Sequence, residues 1–103
     1  MGNLEDEFGQ AMFNIYRDAK EQAGYTASIF LDMLHKRGPM QTAIDLVNSP
    51  KPSDGYTALW ERERLDLTVE AVIIDNPKFH PLFDENTLKN ARQRLKAYGY
   101  KIK

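Results

Sequence analysis

The sequence predicts an all-α fold, a compact single-domain bundle of five or six helices over residues 1–103. Three observations carry that expectation. Apolar residues recur at three-and-four spacing through 4–23 and again through 85–98, the signature of a helix with one buried stripe. Glycine and proline stand at Gly24, Gly38-Pro39, Asn76-Pro77 and Gly99, dividing the chain into helix-sized pieces. Only one stretch, 65–74, alternates like a strand, and a lone strand would leave its backbone groups without partners. An α+β alternative rests on that stretch alone.

Residues 4–23 are expected to bury Phe8, Met12, Ile15, Ala19 and Ala23, with acids at the start where the helix dipole favours them and Gly24 as the stop. Thr26 is placed to cap a second helix, Ala27 to Lys36, with Ile29, Phe30, Met33 and Leu34 inward. His35-Lys36-Arg37-Gly38-Pro39 ends it with cations, then glycine, then proline. Pro39 opens a short third helix, Met40 to Val47, with Ile44 and Val47 apolar. Pro50 and Pro52 make residues 48–53 a loop. Ser53 or Asp54 then caps a helix from Tyr56 to about Arg64 that buries Tyr56, Leu59 and Trp60.

Leu65, Leu67, Val69, Ala71 and Ile73 alternate with polar residues, but Val72 and Ile74 break the pattern. A helix capped by Asp66 or Thr68 gathers Val69, Val72 and Ile73 on one face instead, and helix is the reading adopted. Residues 78–83 are expected as an apolar loop pinned by Phe79 and Phe83. Asp84 caps the last helix, with Leu88, Ala91, Leu95 and Tyr98 inward and Gly99 as its end.

Composition bounds the function. Hydrophobic residues at 42% and charged ones at 28% suit a folded globular chain rather than a disordered one. There is no cysteine, so neither a disulfide nor a thiolate metal site contributes. The acidic start has no apolar core segment for a secretory signal, and Gly2 lacks the Ser or Thr at position six that myristoylation wants. No apolar run approaches the ~20 residues that span a bilayer. A cytoplasmic protein is expected.

Residues 55–70, Gly-Tyr-Thr-Ala-Leu-Trp-Glu-Arg-Glu-Arg-Leu-Asp-Leu-Thr-Val-Glu, together with Leu82-Phe83, Ala91-Arg92-Gln93-Arg94-Leu95 and Tyr98-Gly99-Tyr100, resemble the C-terminal part of small uncharacterised bacterial helical proteins. The resemblance covers about residues 55–100. It implies a recurring helical unit and carries no activity with it.

Catalytic chemistry finds little purchase. His35 sits in the last turn of a helix, where its positive form suits the dipole, and His80 lies in an apolar setting without a second ligand at helical spacing. No nucleophile elbow, phosphate-cradling glycine loop or zinc-type His-Glu-x-x-His occurs. A hydrolase built on Glu70 and His80 would need the two to converge in a cleft. The expectation is no enzyme, no metal, no cofactor and no small-molecule substrate.

Two surfaces remain. Trp60, Arg62, Arg64, Asp66 and Glu70 form a charged corner between two helices. Ion pairs there could fix the interhelix angle, with Arg64, Asp66 and Glu70 as a partly buried network. Trp60 beside Arg62, if exposed, brings residue types enriched at binding hot spots. The C-terminal segment 86–103 carries six bases and no acid, whereas residues 1–50 carry seven acids and four bases. Lys89, Arg92 and Lys96 share one helical face there as candidate phosphate contacts, Arg94 lies off it, and Tyr98 and Tyr100 could stack on bases. The helices flanking Arg37-Gly38-Pro39 could also imitate a helix-turn-helix, but the second offers only Gln41 and Asn48 to read bases. The leading expectation is therefore a non-catalytic protein-interaction module, self-associating or docking on a larger partner. The alternative is a weak nucleic-acid binder using its basic C-terminal helix.

Overall fold

Asn3 opens the first helix by a reciprocal cap. The Asp6 amide donates to Asn3 Oδ1 at 2.9 Å and the Asn3 amide donates back to Asp6 Oδ2 at 3.3 Å. The computed structural model describes residues 3–102, so Gly2 and Lys103 lie outside the described residues. From that cap α1 runs Leu4–Ala23. α2 (Ser28–Arg37) and α3 (Pro39–Asn48) follow, joined by Gly38 alone at φ 82°, where a side chain would be strained. α4 is Asp54–Glu61, and its Ser53 cap accepts from the Tyr56 amide at 3.1 Å. A 3-10 turn at Leu65–Leu67 leads into α5 (Val69–Asp75). A second 3-10 turn, Pro77–Leu82, leads to α6 (Glu85–Ala97), capped by Asp84 accepting from the Thr87 amide at 2.7 Å. The fold is all-α, and no strand occurs among the described residues.

The ambiguous stretch 65–74 coils because Thr68 starts a helix inside it. Its hydroxyl accepts from the Ala71 amide at 3.2 Å and donates to the Leu65 carbonyl at 2.7 Å, closing the 3-10 turn and opening α5 with one side chain. The apparent alternation of Leu65, Leu67 and Val69 spans two short elements, and all three residues are buried.

Three helices end alike. The amide that follows a left-handed residue returns to a carbonyl five or six residues back: Tyr25 to Ala19 at 3.0 Å, Arg64 to Leu59 at 2.8 Å and Tyr100 to Leu95 at 2.9 Å. The left-handed residue is Gly24 in the first and Gly99 in the third, but Glu63, at φ 58°, in the second. That substitution hides the stop from the sequence, so α4 ends at Glu61 rather than near Arg64. α2 also departs from expectation. Its cap position is Ala27, without a side-chain bond, and the Thr26 carbonyl takes the Ser28 amide instead.

Phe8 organises the core. It is fully buried on α1, with Phe79 and Phe83 edge-on to it at 5.2 Å each. The expected pins of segment 78–83 therefore hold, although the segment is largely a 3-10 turn rather than an open loop. α5 lies against α6, and α3 packs on both. Ala19, Leu59 and Leu67 form a small satellite cluster beside the main core. The Cα radius of gyration is 12.5 Å, what a compact chain of this length should show.

Candidate functional site

Where α1 gives way to α2, small side chains leave a gap. Ala19 and Ala27 bring no bulk to the space that Tyr25 and the start of α4 wall in, and an apolar recess of about 130 Å³ remains. Phe30 and Met33 of α2 line one side, and Leu59 and Leu67 line the other. Ile29 stands at its edge with 72% of its surface in solvent. Sequence periodicity placed Ile29 inward. Instead α2 turns Leu34 into the core, half-buries Phe30 and Met33, and leaves Ile29 outside. The volume approaches that of a cavity known to accept a benzene-sized guest.

One wall of the recess is polar and already committed. Glu70 borders it and is 5% exposed at its side chain, paired at 3.1 Å with Arg94, itself 11% exposed. Arg94 also donates to the Leu46 carbonyl at 3.0 Å and to the Ser49 carbonyl, and its guanidinium lies over the Tyr56 ring at 6.0 Å. The Tyr56 hydroxyl donates back to the Arg94 carbonyl at 3.2 Å. One guanidinium thus ties the end of α3, α5 and α6 together. Burial pushes the Glu70 carboxyl above its ordinary range, while its own backbone amide and Arg94 pull the other way. Burial likewise raises the Tyr56 hydroxyl, assisted by the Glu70 charge.

The charged corner is two arrangements rather than one. Arg64 pairs with Asp66 through its Nε at 3.0 Å and donates to Gln22 at 2.7 Å. Glu70 does not join them; it turns inward to Arg94, which corrects the expected Arg64–Asp66–Glu70 network. Arg62 donates to the Ala23 carbonyl and the Ala58 carbonyl, both at 3.0 Å, and sits over Tyr25 at 5.4 Å. Its role is to lock the ends of α1 and α4 together. Trp60, expected as core, is 45% exposed, with its ring at 83° to Tyr98 and 5.4 Å away.

The C-terminal face divides in the same way. Lys89 and Lys96 are exposed and Arg92 half-exposed, bordering a shallow depression with Glu85, Asn86 and Gln93. These three cations form no ion pair among the described residues. Tyr98 lies between Tyr56, at 5.2 Å, and Trp60, so it is engaged within the protein rather than standing free to stack. Gln41, one of the two candidate base readers on α3, donates to Asp45 at 2.7 Å.

Glu70 borders the recess and His80 does not. No group of three or more His, Asp or Glu side chains is arranged to hold a metal among the described residues. No helix there is long and apolar enough to cross a membrane. No family model, curated protein or solved structure matches the chain.

Sequence reasoning missed the recess, the outward Ile29 and the buried partner of Glu70. Arg94 carried one available signal: it falls off the face shared by Lys89, Arg92 and Lys96 and next to the buried Leu95.

Proposed function

We propose that this chain is a non-catalytic protein-interaction module whose docking point is the apolar recess between α1, α2, α4 and α5. The observation that carries the reading is a receptive apolar hollow with an exposed isoleucine at its edge. A side chain of one ring or one branched alkyl group fits the volume. Apolar surface left in water beside a hollow favours burial on association, and a fully desolvated anchor dominates such interfaces. The partner is a protein, either a second copy or a larger one. The reading sets the chain in the cytoplasm, a reducing compartment with which a cysteine-free chain is compatible.

The test needs no partner. Indole titrated into methyl-labelled protein should shift the methyl resonances of Ala19, Ala27 and Leu59 together and saturate. Ala27→Phe, which fills the hollow, should abolish the shifts while the helical circular dichroism stays unchanged. Unmoved resonances in the parent protein would remove the recess as a receptor.

A second reading has its own support in the uncommitted Lys89, Arg92 and Lys96 face. Contacts to about three phosphates would give a log–log salt slope near −3 on duplex DNA. A gel shift at low salt with mixed DNA and RNA, lost in the triple alanine variant, supports this reading; no shift with the parent protein ends it.

A further inference from the structure

The recess reading leaves open what the partner presents, and the charge at the hollow narrows it. Of the groups lining the recess, two are carboxylates, Asp54 and Glu70, and none is a cation. Glu70 is answered from behind by Arg94. Asp54 is different: it is exposed at the start of α4, on the recess lining, and has no ion pair among the described residues. Its charge there already suits the helix dipole, yet it leaves the mouth of an apolar hollow with one open negative charge.

Resting on the docking reading above, we infer that the partner is a protein segment whose apolar anchor is flanked by a lysine or arginine. The anchor enters between Ala19, Ala27 and Leu59, and the neighbouring cation meets Asp54. An acidic neighbour would face the same carboxylate at the rim and be repelled. Like-charge juxtaposition of this kind excludes partners more effectively than the matching pair attracts them. Arginine suits the role better than lysine, because its planar fork can take a carboxylate in two parallel bonds and lie on Ile29 at the same time.

The probes are two acetylated, amidated pentapeptides, Gly-Lys-Phe-Lys-Gly and Gly-Glu-Phe-Glu-Gly, titrated into the full chain and followed by the methyl shifts of Ala19 and Ala27. The basic peptide should bind at least about fivefold more tightly, a gap that narrows in high salt. Asp54→Asn should shrink the difference to under about twofold, with indole binding unchanged. Equal binding of the two peptides, or a preference that survives Asp54→Asn, overturns the inference and leaves the recess reading standing. If neither peptide nor indole shifts the recess methyls, the docking reading fails as well. Because Asp54 is exposed, the variant is expected to fold, and its melting curve confirms that the comparison is fair.

Discussion

Arg94→Ala is expected to cost about 3–5 kcal/mol, the largest loss available from any single polar substitution in this protein. The substitution strands Glu70 as an uncompensated buried charge and leaves the carbonyls of Leu46 and Ser49 without their donor. Arg94→Lys should recover only part of it, since one ammonium cannot reach three acceptors in the fork geometry that the guanidinium spans. Urea unfolding followed by circular dichroism measures both. The double variant Glu70→Leu, Arg94→Leu should lose less than the two single losses added, because it removes the stranded charge. Additive losses would show that the pair is not coupled.

The pH dependence follows from the same group. The folded Glu70 holds its proton more tightly than an unfolded glutamate, because burial disfavours its charge. Its contribution is therefore most favourable below the unfolded value of about 4.3 and is lost as pH rises through the folded value. Removing Arg94 removes the influence that opposes burial, so the folded value rises further. The deficit of Arg94→Ala should accordingly be smaller at mildly acidic pH than at pH 8. A deficit that grows on acidification would contradict the assignment of the stranded charge.

Phe8→Ala is expected to lose about 3–5 kcal/mol by leaving a cavity at a fully buried site. Its effect should also be local in a particular way. Phe8 is the ring against which Phe79 and Phe83 stand, so truncation releases the 3-10 turn Pro77–Leu82 from α1. The Phe79 and Phe83 amides, bonded to the carbonyls of Asn76 and His80, should lose hydrogen-exchange protection more than the amides of α6. Equal loss everywhere would mean that the segment is held by something other than these rings. Phe8→Leu should cost less, since it keeps much of the volume.

What could be read from the chain was whatever is encoded within a few residues. Asp84, Ser53 and Thr68 act as caps because a short oxygen-bearing side chain reaches an amide three positions on, and Gly24 and Gly99 stop helices because they enter the left-handed region freely. The α1 stripe of Phe8, Met12, Ile15 and Ala19 was legible for the same reason. Glu63 was not, because it closes α4 in a conformation whose usual residue is glycine. Ile29 illustrates a different limit. The apolar residues of α2 cover more than one face, and which face turns inward depends on how α1 and α3 pack against it, which the spacing within α2 does not encode. The Glu70–Arg94 pair is separated by 24 residues, and no local rule links them. The recess itself is made by the small size of Ala19 and Ala27, residues that give no periodic signal of a hollow.

The claim at the centre of this account is that the hollow between α1, α2, α4 and α5 accepts an apolar side chain from outside. The most direct measurement is the intermolecular nuclear Overhauser effect between bound indole and the methyl groups of the parent chain. Cross-peaks to Ala19, Ala27 and Leu59, absent in Ala27→Phe, are the predicted result. Cross-peaks only to scattered surface methyls, or identical ones in the filled variant, would contradict it.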